Sequence, residues 1–365
     1  MIRSGVAGAL AALAFAGAAS AADFGTKGGP EPANIDEIEG VLRQDPYDLE
    51  LLVSFGTSKG GSAGHLAIAI REPGADDDTV YSANFYADRA PEHATGFWTD
   101  DLMARIPKKE YLFRTSSSLN PNAAFGPDFG EIYKRSVIGI RVYGVPQSEK
   151  QALKDFYARL NDDFHKRARD TEYHKGEVVY DYLRLNCAKT IGTSFRYGAG
   201  YNDLKIEAPV LGLTRIVAAL NANLPTEMAM KLAKEWNARG YKMDAVLYKK
   251  YGGSTYADPH DNPPVAFKDL PNRFPSVLSM DFRKEEGHYE DYDNLYAMYV
   301  LYNMGRYSVI VDDNTKKLRI EVSKDPQPFP QADAAAKKSA RSDSDNFRKG
   351  VKFSPAGTGY KQEGS

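Results

Sequence analysis

At 365 residues, 42% hydrophobic and 26% charged, the chain is long enough to bury a large core, as one big domain or as a domain with an appendage. A formal net charge of −2 excludes a generic nucleic-acid binder. A single cysteine excludes any intramolecular disulfide, so the fold has to hold by packing alone.

Met1-Ile-Arg3, an Ala- and Leu-rich run from Gly5 to Gly17, and Ala19-Ser20-Ala21 form the three parts of a secretory signal peptide over residues 1–21. The expected location is therefore periplasmic or secreted, with no stable membrane span after signal cleavage. Residues 22–46 read as a leader, rich at first in Gly, Pro and Lys, with a short helix from Ile35 to Arg43. Tyr47 to Phe55 is the first expected strand. The loop Gly56 to Gly64 delivers the chain to His65, and His65 to Ile70 pairs through a hairpin with Thr79 to Tyr86. Ala87 to Phe129 reads as irregular and suits a cleft wall. Val137 to Tyr143 is another strand. Ser148-Glu-Lys-Gln151 has the form of a capping box, opening a helix striped by Leu153, Phe156, Tyr157, Leu160 and Phe164 that runs to about Arg169.

The period-two run Val178 to Leu185 predicts a strand leading into Asn186, a favoured N-cap, and then a helix with Cys187 in its first turn. Further helices are expected around Leu213 to Leu220, from Thr226 to Arg239, and from Leu295 to Met304, with a hairpin from Arg306 to Val322. From Lys324 onward large aliphatics nearly vanish, which predicts a disordered tail over 324–365.

A free thiol in an oxidising compartment is exposed to oxidation, so its retention there favours a use for it. At a helix start the dipole and the first-turn N–H groups favour the thiolate. A thiol hydrolase also needs a base and a group that fixes the imidazole. His65, opening a strand after a Gly-rich loop, is the best candidate base. Asn84, near the far end of the returning strand, is the candidate orienting group, and Ser82 shares its facing parity. His174, shortly before the cysteine, is the serious rival to His65. No metal site is expected: His-Glu-x-x-His is absent, and Asp258-Pro-His260-Asp261 is too weak a cation signal. No cofactor is expected either, since Gly56-Thr-Ser-Lys59-Gly-Gly-Ser lacks phosphate-loop spacing.

Ala63-Gly64-His65-Leu-Ala-Ile-Ala-Ile70, followed much later by Leu185-Asn186-Cys187-Ala-Lys-Thr190, resembles the circularly permuted NlpC-type papain-like superfamily. That group includes lecithin:retinol acyltransferase-like enzymes and the domain at the N-terminus of lacto-N-biosidase-associated proteins. The resemblance implies an α+β fold in which an antiparallel sheet packs on the cysteine-bearing helix, with Cys187 as nucleophile and His65 as base. Ala188 stands where relatives of the lacto-N-biosidase-associated type often have a hydroxyl residue. The core so implied covers 47–205, leaving 206–323 as a helical region plus C-terminal hairpin, appended or integrated.

The expected function is an exported cell-envelope thiol hydrolase that cleaves an amide bond, with peptidoglycan stem peptides the most available substrate. The expected partner is thus a cell-wall peptide or acylated envelope substrate. An acyltransferase or lipid hydrolase on the same residues, and a non-catalytic envelope binding or assembly protein, are the alternatives.

Overall fold

The computed structural model describes residues 35–57, 62–84, 100–113, 137–181, 184–206, 225–249, 292–311, 318–323 and 326–348. The expected signal peptide, the helix around Leu213 to Leu220, and Asp258 to Asp261 lie outside them. Helix α1 (Ile35–Leu42) precedes β1 (Leu49–Thr57), β2 (Ser62–Ile70), β3 (Thr79–Ala83), β4 (Met103–Pro107) and α2 (Lys108–Phe113). There follow β5 (Val137–Tyr143), α3 (Gln147–His165), α4 (Cys187–Thr193), a π-helical turn (Ser194–Gly198) and α5 (Pro225–Ala238). The chain continues with β6 (Lys242–Lys249), α6 (Tyr292–Asn303), β7 (Gly305–Val311), β8 (Leu318–Val322) and α7 (Phe329–Arg348). The fold is α+β. The eight strands among the described residues join one sheet in the order β4-β3-β2-β1-β5-β6-β7-β8. β6 and β7 are parallel, which a crossover carrying α6 makes possible, and the other neighbours are antiparallel. Strands β6 to β8, which come after residue 205, extend the same sheet.

Strand residues alternate between two covered faces. Leu49, Leu51 and Val53 of β1, Leu66, Ile68 and Ile70 of β2, and Ile138, Ile140 and Val142 of β5 pack with residues of α3 to α7 in one core. Leu52, Ala67, Ala69, Val137, Val246 and Tyr248 face the other way, onto Ile38 and Leu42 of α1 and Tyr111 and Leu112 of α2. Burial on both faces explains why β2 reads as a nearly continuous apolar run, with alanine against α1 and α2 and large aliphatics against the main helix layer.

The α1–α2 face also holds buried charge. Lys108 is fully buried and reaches Glu50 at 2.6 Å and Glu39 at 3.4 Å, and the Tyr248 hydroxyl donates to Glu50 at 2.7 Å. Gly139 is required beside this pair, because a Cβ there would overlap the Glu50 carboxylate. Arg141 forms a two-pronged bond to Asp244, both contacts at 2.7 Å, and also donates to Asp45 at 3.0 Å.

Four expectations differ from the structure. The described residues of 178–185 are not in a strand: an isolated bridge Asp181–Leu185 closes a short loop there, after another bridge at Arg169–Glu177. The stretch read as irregular contains β4 and α2, and β6 went unread because its polar start hides the apolar run Ala245-Val-Leu-Tyr248. Helix α3 begins at Gln147 behind Pro146 with no side-chain cap, so Ser148 lies inside the helix and forms no capping box. Within the segment expected to be disordered, Phe329–Arg348 form α7, whose Phe329, Ala332 and Ala336 enter the main core; alanine at an i, i+4 spacing buries little area and leaves little trace in hydropathy.

Replacing Phe329 with Ala should therefore cost about 3 kcal/mol or more in urea unfolding, as for a buried aromatic. A solvated tail would give no change.

Candidate functional site

Helix α4 starts where the sequence places it. Asn186 is extended, and its side-chain oxygen accepts from the Lys189 N–H at 2.9 Å, while its carbonyl accepts from the Thr190 hydroxyl at 2.7 Å. Cys187 is thus the first helical residue. The N–H groups of Cys187 and Ala188 have no acceptor within the helix, by the geometry of any first turn. Every residue of α4 is buried, Lys189 included, and Cys187 is 7% exposed. The helix packs against β2 and β3, and Cys187 belongs to the core that contains Leu66, Ile68, Tyr81 and Ala83.

His65 stands on β2 opposite Ser54 of β1. It is in step with Ala67 and Ala69, and so with the α1–α2 face, whereas its alternating neighbours Leu66 and Ile68 face α4. On that face its Nε2 lies 2.8 Å from Ser82 Oγ, both groups being buried. Asn84 follows two residues after Ser82; it is buried, and its N–H donates to the Leu102 carbonyl at 2.7 Å. The sheet therefore brings His65, Ser82 and the Asn84 segment together and does not bring His65 to the Cys187 face.

His174 lies between α3 and α4, next to Tyr173, which packs on the core that holds Cys187. It sits in a loop closed by the Asp170 N–H to the Gly176 carbonyl at 2.9 Å, by the Gly176 N–H to Asp170 Oδ1 at 3.0 Å, and by left-handed backbone at Asp170 and Gly176. The His174 N–H donates to Thr171 Oγ1 at 3.1 Å, and the ring Nε2 donates to the Glu177 carbonyl at 3.1 Å, since a carbonyl can only accept. That bond places the proton on Nε2 and leaves Nδ1 as the basic nitrogen. Burial pushes the His174 pKa below its ordinary value, with the cations of Arg184 and Lys189 adding to it; the Glu177 carbonyl and the Asp181 carboxylate oppose. His174 is then neutral near pH 7, the form a general base requires.

Asp100, Asp101 and His165 bring three potential metal ligands within 4.8 Å of one another, with His165 Nε2 at 2.8 Å from Asp101. The group is largely exposed and is accounted for as an ion pair. A cleft of about 740 Å³ is lined by Tyr143, Tyr241, Asp244, Arg306 and the Pro326–Pro330 segment, and not by Cys187 or His65. Its floor is internally satisfied: Tyr143 donates to Asp244 at 2.7 Å, and Arg306 bonds Asp45 at 3.1 Å. No described helix is long and apolar enough to cross a membrane.

Sequence reasoning did not identify the Glu39–Glu50–Lys108 cluster. Its signal is a charge inside an apolar strand, Glu50 in Leu49-Glu-Leu-Leu-Val53, as Arg141 is in β5. Comparison with protein families, curated proteins and solved structures returns no match for this chain.

Two outcomes are expected. Ser82→Ala removes a hydrogen bond from the buried His65 Nε2 and should lower unfolding free energy by about 1–3 kcal/mol in urea titrations. In an NMR titration His174 should protonate below the ordinary histidine value of about 6.5. Because its folded pKa is depressed, its contribution to stability is complete above that value and is lost as pH falls below it.

Proposed function

We propose that this protein is an exported thiol-dependent hydrolase of the cell envelope, cleaving an amide bond with Cys187 as nucleophile and His174 as general base. The observation that carries the reading is the capped helix start at Cys187, together with a nearby loop histidine, His174, whose burial lowers its pKa and whose ring feels the charge of Lys189. Of the permuted papain-like arrangement, the order of elements is retained, since β2 precedes α4 and α4 packs on it, while His65 of β2 faces away from α4.

In this reading His174 Nδ1 takes the thiol proton, and the sulfur attacks the amide carbon while the carbonyl electrons move to oxygen. First-turn N–H groups of α4 face the developing oxyanion. The imidazolium then returns the proton to the departing amine, leaving a thioester. Water, giving its proton to Nδ1, releases the acid and restores the thiol. Asn186 holds the geometry by capping the helix, and the Glu177 carbonyl fixes the tautomer. Cell-wall stem peptides are the amides most available to an exported enzyme.

The hydrogen bond between His65 and Ser82, on the face away from α4, favours a second reading in which Cys187 is a core residue of a non-catalytic envelope protein. A thiol-directed probe separates the two. An active thiol at pH 7 should label about tenfold faster than an ordinary thiol of pKa near 8.5, and His174→Ala should remove that advantage while His65→Ala keeps it. Labelling of wild type no faster than of an ordinary thiol selects the non-catalytic reading. Loss of the advantage in His65→Ala alone returns the base to His65. Mass spectrometry of an acyl-enzyme trapped from envelope extracts identifies the substrate.

A further inference from the structure

The polar cluster beneath α1 carries more negative than positive charge. Glu39 of α1, Glu50 of β1 and Asp78, just before β3, face Lys108 of α2 and Arg43, just beyond α1. Tyr47 donates to Asp78 at 2.5 Å, and Tyr248 of β6 donates to Glu50. Asp77 accepts from the Lys109 N–H at 3.2 Å, and Lys109 pairs at 2.8 Å with Asp36 at the helix surface. β8, also packed on α1, contributes the exposed Glu321. Three buried carboxylates thus share two cations.

Among these carboxylates Glu39 has the weakest hold. Glu50 lies 2.6 Å from Lys108, and Asp78 is bound by both Arg43 and Tyr47. Glu39 meets the same Lys108 at 3.4 Å through Oε2, and its Oε1 is buried with no hydrogen-bond partner among the described residues. An excess charge in such surroundings is relieved by taking up a proton at the least satisfied oxygen.

We propose that docking of α1 on the sheet is proton-dependent, with one proton held on Glu39 balancing the buried cluster, so that α1 is held firmly in mildly acid surroundings and loosened in alkaline ones. Burial, working against the attraction of Lys108 and with the repulsion of Glu50, Asp78 and Asp77, raises Glu39 to about 7. The sign follows from linkage. The folded chain keeps a proton that the unfolded chain has released, so the stabilisation is complete below the ordinary glutamate value of about 4.3 and is lost as pH rises through the folded value. This device is independent of the chemistry assigned to Cys187.

The test is urea unfolding of the full chain between pH 5 and 8.5, wild type against Glu39→Gln, which imitates the protonated carboxyl. The ratio of their folding equilibrium constants should shift towards the variant by on the order of tenfold to a hundredfold across this range, levelling above neutrality. Exchange of the α1 amides, corrected for intrinsic rates, should quicken at pH 8 in wild type and not in the variant. Parallel pH curves for the two proteins overturn the proposal. Should the variant fail to fold, the infrared protonated-carboxyl band of wild type decides: present at pH 6 and lost at pH 8 it supports the proton on Glu39, and absent at pH 6 it overturns it.

Discussion

One side of the sheet closes on a single ammonium. Lys108, the first residue of α2, is fully buried and lies 2.6 Å from Glu50 near the start of β1. The same nitrogen is 3.2 Å from the Tyr47 hydroxyl and 3.4 Å from Glu39 of α1. Leaving such a charge without partners costs about 3–5 kcal/mol, more than most single apolar contacts return. The consequence is specificity of assembly. Helix α1, helix α2 and the turn before β3 each supply part of one charge cage, so none of them can be displaced without stranding ions inside the protein. Small residues follow from the same constraint, since Gly139 leaves the space that the Glu50 carboxylate fills.

A second cage, around Arg141, explains why the chain after residue 205 belongs to the same body as the chain before it. Arg141 of β5 grips Asp244 of β6 through two bonds and reaches back to the Leu42 carbonyl and to Asp45 at the end of α1. Asp45 in turn accepts from Arg306 and Tyr307 of β7. Arginine suits this task because its fork can serve several oxygens at once. β6 and β7 are thereby fixed to the β5 edge by side chains as well as by the ladder. The parallel β6–β7 junction, with slanted bonds and a long crossover, is the place where that reinforcement counts most.

What could be read from the sequence divides along physical lines. Elements whose signal is local were legible: the stripe of α3, the apolar strands β1, β2 and β5, the β7–β8 hairpin, and above all the Asn186 cap that places Cys187 at a helix start. Elements that depend on distant partners were not. Glu50 and Arg141 interrupt apolar strands and make sense only beside Lys108 and Asp244, which lie far away in sequence. Helix α7 buries alanine, and its stability comes from the core it joins. The run Val178 to Leu185 alternates like a strand, but Asp181 binds its own loop through Leu185 and Arg184, which local pattern cannot anticipate.

The candidate site shows the limit most sharply. Order along the chain placed a histidine strand before the cysteine helix, and β2 does lie under α4. Facing is a separate quantity with a period of two residues, and in a strand buried on both sides neither face is marked by polarity. On β2 the distinction is one of size: large aliphatics accompany α4, and alanines accompany His65 towards α1 and α2. There the Nε2 of His65 is one more buried polar atom met by a neighbour on the next strand, alongside the two charge cages. The thiol, by contrast, lies on the face packed with apolar side chains, where a wholly buried helix fixes the sulfur. The base assigned to it hangs from a loop that closes on its own hydrogen bonds. In the proposed pairing, a nucleophile on a buried helix and a base on a separately braced loop need no ladder contact, so the pairing depends on tertiary packing and leaves no periodic trace in the sequence.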